Sequence, residues 1–401
     1  MDNITIYSRT AYFEVTENST FRSFSLINST GINLTDETSM TDPIVEELEQ
    51  VSKYLWVVIS PILFLVGFVG NVLIVIVLWK LTFWRKTAYL CLALLAVSDL
   101  TVLCVGLSRY WIDEEFGVNV RTLSNSGCKI NLFVIYWSMQ FSSWLLVCVV
   151  VERFLKTNFP LRYQSIVSTK RCILCIVTTA VFLAGLDLHF FWTNGLIVEN
   201  GEVDCSSLND AYFQFEEKKF TYMDFAFLSA IPFFLMVIMN VFIYKVLRES
   251  RKWRETTVRN QHASSERLRR FDIRLTRTLF FSSIYFLLAT TPISLYFIID
   301  SYVKLDDVGE ARKDVIWTVC YLLQFSNYAV NFFIYNLTNA KFKNTLKGMF
   351  GCPDKRIYRS KYSTRRSTVS SIITSTTSVD DSQRDDQDEQ TSESRESEGY
   401  V

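Results

Sequence analysis

The sequence predicts an all-α membrane protein, a seven-transmembrane helix bundle with an extracellular N-terminus, a short cytoplasmic eighth helix and a disordered C-terminal tail. Three observations lead there. Seven long apolar stretches occur, at 54–79, 88–110, 129–151, 171–195, 223–247, 275–300 and 315–337, and most reach the roughly 20 residues that spanning requires. Basic and acidic connections alternate between them. One stretch carries a cysteine at one end and a Glu-Arg pair at the other. Cys128 and Arg153 stand 25 residues apart (153 − 128), roughly 37 Å along a helix and enough to cross about 30 Å of hydrocarbon. That helix is expected to link an outside site to an inside one.

Composition alone would fit a soluble protein of two domains: 401 residues, 49% hydrophobic, and 41 basic against 41 acidic side chains. Patterning excludes it. A soluble helix buries one stripe and shows a polar one at helical period. Ile74-Val75-Ile76-Val77-Leu78 and Val147-Cys148-Val149-Val150-Val151 show no polar stripe.

In chain order, residues 1–53 read as an extracellular tail without an apolar run of signal-peptide length, so the first span is expected to act as its own insertion signal. The tail carries four N-x-Ser/Thr sequons, at Asn3, Asn18, Asn28 and Asn33, expected to be glycosylated. The seven spans fill one domain, 54–338. Lys80, Arg85 and Lys86 follow the first span, and Arg153, Lys156, Arg162, Lys170 and Arg171 follow the third. Ten basic residues from Lys245 to Arg274 separate the fifth from the sixth. Alternate connections hold Asp113, Glu114 and Glu115, then Glu199, Glu202 and Asp204, then Asp306, Asp307 and Glu310. Basic loops stay on the cytoplasmic side, which predicts a multi-pass plasma-membrane protein with its N-terminus outside. Between the fourth and fifth spans, Leu196 to Cys205 reads as a β-hairpin about Asn200-Gly201, with Val198 facing Val203, or else as an ordinary surface turn. Residues 339–352 form an amphipathic stretch ending at Cys352, a palmitoylation candidate or an idle thiol. Residues 353–401 are rich in Ser, Thr and charge, and read as a disordered tail able to take phosphates.

Several short motifs carry a resemblance. Gly70-Asn71, Leu94-Leu95-Ala96-Val97-Ser98-Asp99-Leu100, Cys128, Glu152-Arg153-Phe154, Pro232, Pro292 and Asn331-Phe332-Phe333-Ile334-Tyr335 stand in fixed order across the spans, with Phe342-Lys343 opening the amphipathic stretch. In this the chain resembles the rhodopsin-like (class A) G-protein-coupled receptors. Phe332, in place of the usual proline, is similar to several invertebrate neuropeptide-type receptors. Three positions depart from the pattern. Thr178, Thr179 and Ala180 lie where the fourth span usually has tryptophan, Thr290 replaces the sixth-span tryptophan, and Asn240 stands where a fifth-span tyrosine is common.

The resemblance implies roles. Glu152, Arg153, Asp272, Phe286, Pro292, Asn331 and Tyr335 would form the coupling and activation switch, with Arg153 paired to Glu152 and Asp272 at rest. Asn71, Asp99, Ser142, Asn327 and Asn331 would gather around the buried carboxylate, either holding a sodium ion or forming a satisfied polar knot. Cys205 can close a disulfide with Cys128, pinning the second outer loop. Cys91, Cys104, Cys148, Cys172, Cys175 and Cys320 read as apolar fillers. The implied partners are a heterotrimeric G protein, arrestin and receptor kinases on the tail, membrane lipids and an outside ligand, with no nucleic acid.

For the ligand, the candidates are Tyr110, Trp111, Ile135, Tyr136, Trp192, Glu199, Glu202 and Tyr296. Ile135 stands where amine receptors anchor an aspartate, and Phe325 where opsins carry lysine. The acids of the outer loops, over an aromatic layer, favour a short basic amidated neuropeptide. A lipid or small chemosensory ligand is the alternative. A transporter or channel would need inverted repeats and glycine-rich broken spans, and the chain has 13 glycines and no visible repeat. No phosphate-binding loop appears, and two histidines without metal spacing argue against a metalloenzyme.

Overall fold

The computed structural model describes residues 42–82, 86–199, 201–257, 263–300, 303, 305–338 and 340–351. The sequons at Asn3, Asn18, Asn28 and Asn33, Cys352 and the tail 353–401 lie outside the described residues. So do the side chains of Glu199 and Asp272. The chain divides into two compact units, Met1–Phe342 and Lys343–Val401. The first unit holds the bundle.

Seven long helices run through it. They are α1 (Pro43–Lys80), α2 (Thr87–Phe116), α3 (Asn125–Asn158), α4 (Thr169–Thr193), α5 (Asp210–Ser250, helical on to Thr257), α6 (Ala263–Asp300) and α7 (Asp307–Thr338). A last helix, α8, covers Ala340–Met349. Between α4 and α5 lie β1 (Asn194–Glu199) and β2 (Glu202–Ser207). We call the Cys128 end of the bundle outer and the Arg153 end inner.

The helices are longer than the apolar stretches that announce them. α1 starts at Pro43, eleven residues before the expected 54 (54 − 43). The Asp42 carboxylate accepts from Ile44 N at 2.9 Å, and Pro43 supplies the first helical position. Hydropathy marks only the part of a helix in hydrocarbon, and the caps decide where it ends in water. Ser124 caps α3 by accepting from Gly127 N at 3.0 Å, and Ser168 caps α4 through Arg171 N at 3.3 Å.

Among the described residues, six helices are long and apolar enough to cross a membrane, α1 to α6. The seventh, α7, falls short because it carries the buried amides Gln324, Asn327 and Asn331. It packs along α1, whose Gly70 allows the close approach. A Cβ there would stand 2.9 Å from the Phe332 Cβ. Three π-helical segments interrupt the outer halves, at Val102–Leu107 in α2 and at Glu216–Phe220 and Phe225–Ala230 in α5. A π turn holds one residue more than an α turn, so it rotates the remainder of its helix by about 100°.

Candidate functional site

The outer half is closed on one side by the hairpin. β1 and β2 pair antiparallel with Val198 opposite Val203 and Glu199 opposite Glu202, the register expected from the sequence. Gly201 sits at φ +88°, a left-handed conformation in which glycine carries no steric cost. A disulfide joins Cys205 on β2 to Cys128 on α3, with Cα atoms 5.6 Å apart. The bridge lies in an apolar cluster with Leu132, Phe190 and Phe220. His189 lines the same wall, its ring centroid 4.2 Å from Phe190 and 4.4 Å from Phe220.

Beside the hairpin two adjoining cavities open. One lies among α3, α5, α6 and α7 and is lined by Phe220, Asp224, Phe297 and Gln324 among others. The second lies among α2, α3 and α7 and is lined by Arg109, Tyr110, Arg121, Trp317 and Phe325 among others. They share Tyr136, Met139 and Tyr321. Of the expected ligand residues, Tyr110, Ile135 and Tyr136 line these cavities, whereas Trp111, Trp192, Glu202 and Tyr296 do not. Trp192 is exposed, and Glu202 sits on the exposed hairpin tip. Tyr296 packs on Phe297, which takes the cavity position instead, centroids 5.8 Å apart.

Polar groups flank the aromatic wall. The Gln140 amide donates to Asp187 at 3.2 Å and to Asp224 at 2.9 Å, tying α3 to α4 and α5. Arg109 and Arg121 were not foreseen as ligand residues. Both are buried, at 5% and 7% exposure, on the α2 side. For Arg109 the signal is an ionisable residue inside the apolar stretch 88–110, which by default marks function; Arg121, between stretches, carries none.

Midway down, Asp99 is wholly buried. Ser142 donates to its Oδ1 at 2.6 Å and Asn331 to its Oδ2 at 2.8 Å. Asn71 approaches differently, giving its amide to the carbonyls of Gly67 at 2.9 Å and Tyr328 at 2.8 Å. Its Oδ1 has no partner among the described residues. Asn327 is buried, and no hydrogen bond joins it to Asp99 among the described residues. The knot thus brings together Asp99, Ser142 and Asn331, with Asn71 one carbonyl away.

The three departures each have a local answer. Trp137 of α3 donates its indole N–H to the Ala180 carbonyl at 3.0 Å, so a tryptophan on α3 meets α4 where α4 lacks its own. Thr290 is fully buried and bonds its own helix at Phe286 O, 2.8 Å, while reaching Ser229 on α5 at 3.5 Å. Asn240 bridges α5 to α6 by donating to Ser283 Oγ at 3.1 Å.

At the inner end Arg153 and Glu152 are both buried and ion-paired, Nε to Oε2 at 3.1 Å. The other carboxylate oxygen accepts from the Tyr163 phenol, on a single helical turn Tyr163–Ile166 between α3 and α4, and from Thr87 of α2 at 3.5 Å. Burial and then the Glu152 hydrogen bond push the Tyr163 phenol up to about 12, so it stays a donor at neutral pH. The expected pairing of Arg153 with Asp272 lies outside the described residues. Pro292 lies inside α6, Phe286 is buried on the same helix, and Tyr335 is buried on α7, 6.3 Å from the Phe342 ring.

Against known proteins, residues 70–335 match the family described as 7 transmembrane receptor (rhodopsin family). The chain is 23% identical over 354 residues to the thyrotropin-releasing hormone receptor of Bos taurus, covering 82% of this chain and 85% of that one. It is 22% identical over 331 residues to the QRFP-like peptide receptor of Branchiostoma floridae, covering 78% and 82%. A shorter stretch of 119 residues is 28% identical to olfactory receptor 1468 of Rattus norvegicus, covering 30% and 37%.

Proposed function

From the premise that the chain belongs to the rhodopsin family of seven-transmembrane receptors, we propose that it is switched on by an extracellular neuropeptide. It is a multi-pass membrane receptor coupled to a G protein, and its family is one of receptors and not of enzymes. The observation that carries the peptide reading is the outer architecture. A β-hairpin pinned by Cys128–Cys205 packs against Phe220, which lines one of two neighbouring cavities, and no described hairpin residue lines either. Two relatives matched over most of the chain are named for thyrotropin-releasing hormone and for a QRFP-like peptide. The chemosensory alternative rests on the shorter olfactory-receptor match.

In this reading the N-terminus and hairpin face outside the cell, at the plasma membrane. Ligand binds the active arrangement better than the resting one and shifts the population toward it. The resting arrangement is the latch of Arg153, Glu152, Tyr163 and Thr87, and its release exposes the inner face to the heterotrimeric G protein. Receptor kinases and arrestin act on 353–401, outside the described residues. Sodium fits the Asp99 knot by donor chemistry: a carboxylate, the Ser142 hydroxyl and the orphaned Asn71 Oδ1 are the oxygen donors that hard cations prefer. The peptide reading is tested by screening a peptide library on cells expressing the chain, with G-protein dissociation as readout. A peptide agonist at nanomolar to micromolar level is the expected result. Activation by a lipid or volatile compound, with every peptide silent, would overturn it.

A further inference from the structure

Two buried arginines line the cavity on the α2 side, and among the described residues neither meets a carboxylate. Arg109 comes just after the π turn Val102–Leu107, whose extra residue rotates Ser108–Phe116 and sets the face Arg109 takes. Its guanidinium carbon lies 4.0 Å from the Tyr110 ring centroid. Tyr110 in turn stacks on Trp56 at 4.4 Å and meets Tyr321 edge-on at 5.5 Å. Arg121 comes from the turn Val120–Leu123 and is held by one side-chain bond, Nε to Asn131 Oδ1 at 2.8 Å. That bond leaves its terminal nitrogens for the cavity that the residue lines. The titratable groups acting on Arg121 are Arg109 and the neutral phenols Tyr110, Tyr136 and Tyr321, with no carboxylate among them. Burial, then the like charge of Arg109, lower Arg121 to about 10, which still leaves it charged at neutral pH.

Two cations held close, desolvated and without a counter-ion cost free energy in the empty receptor. Guanidinium groups with free N–H edges are also the side chains best shaped to grip a carboxylate. We propose that Arg109 and Arg121 form a subsite for a carboxylate on the buried end of the activating ligand. On the peptide reading, the carboxylate is a free C-terminus or an Asp or Glu side chain. On this proposal the buried end of the ligand is anionic, where the sequence reading favours a basic amidated peptide. The acids that favoured a basic amidated ligand sit at the rim. Glu202 is on the exposed hairpin tip, and Glu310 shares Lys313 with Asp300, at 2.8 Å and 2.6 Å. The α2 side of the cavity is cationic.

The test uses the full chain in cells with a G-protein readout. Synthetic peptides are supplied in matched forms, free acid against C-terminal amide, crossed with Asp or Glu against Asn or Gln. Removing the recognised carboxylate is expected to cost about ten- to a hundredfold in potency, and which arm shows the loss identifies its source. Arg109→Gln and Arg121→Gln should each bring acid and neutral forms to equal potency, a ratio that surface level does not alter. Equal potency of acid and neutral forms at the wild-type receptor, or a ratio that survives both substitutions, would overturn the subsite and leave the peptide reading standing. If every peptide is silent, matched small carboxylates and carboxamides, fatty acids included, take their place. A preference for the acid that Arg109→Gln abolishes keeps the subsite and sinks the peptide reading. A ligand-free arm measures thermal unfolding of the purified receptor. Arg109→Gln should leave the midpoint unchanged or raise it, because the charge it removes has no counter-ion. A fall of more than about 5 °C would assign Arg109 a structural role and overturn the proposal.

Discussion

The outer and inner halves both bury arginine, under opposite conditions. Arg153 lies against Glu152 at 3.1 Å, and Glu152 is itself held by Tyr163 and Thr87. Arg109 and Arg121 lie among tyrosines and tryptophans with no carboxylate near them among the described residues. A paired buried cation is locked until something displaces its partner. An unpaired one, on the proposed reading, awaits the charge of an arriving ligand. On this comparison the outer half is built to receive and the inner half to hold, and α3 joins them, with Cys128 at one end and Arg153 at the other.

The largest expected effect breaks the inner half. Arg153→Ala should keep ligand binding and lose most G-protein activation, a drop of at least about tenfold in maximal response at matched surface level. Radioligand binding beside a G-protein assay measures it. Wild-type signalling in that variant would remove the latch from the mechanism.

Next in size is the pin of the outer half. Cys128→Ser and Cys205→Ser remove one bridge, and losing a native disulfide typically costs about 2–5 kcal/mol. Surface expression or ligand response should fall equally in each, and the double variant should be no worse than either single. Additive losses in flow cytometry would separate the two sulfurs.

A middle-sized effect concerns the amide that ties α3 to α4 and α5. Gln140→Leu leaves Asp187 and Asp224 without their shared donor, and an unsatisfied buried acceptor costs about 1–3 kcal/mol. Thermal unfolding of the purified receptor should show a lower midpoint. An unchanged midpoint would mean that the two acids find other partners.

Of similar size is the second support of the inner latch. Tyr163→Phe removes one donor to Glu152, and one hydrogen bond to a charged group contributes about 1.5–3 kcal/mol. Ligand-independent G-protein activation should rise severalfold, against a fall for Arg153→Ala. Basal activity equal to wild type would show that Tyr163 does not hold the latch closed. The smallest change is Trp137→Phe, which loses one neutral bond to Ala180 O, about 1 kcal/mol, and should lower the thermal midpoint by a few degrees while leaving signalling intact.

The sequence by itself determined the seven helices, the hairpin register and the pairing partners that stand in fixed motifs. These come from local rules. Apolar length marks a span, Asn-Gly marks a hairpin turn, and Asp99, Cys128 and Glu152-Arg153 sit at depths read by counting along a helix. Counting fails where the helix is irregular. The π turn at Val102–Leu107 changes the face of every later residue in α2, so Arg109 reads as an outer-end residue and only the fold turns it into a cavity. Arg121 comes from a separate turn, and no spacing rule links it to Arg109. Trp137 reaches Ala180 across 43 residues, meeting α4 where its own sequence lacks a tryptophan. The outer acids look like a uniform ligand field in one dimension, but Glu310 on α7 and Asp300 on α6 share Lys313, at 2.8 Å and 2.6 Å. Charge sign along a chain is a local property. Which charges are buried together, and which are left without partners, is decided by packing, because a side chain's electrostatic environment is set by neighbours distant in sequence.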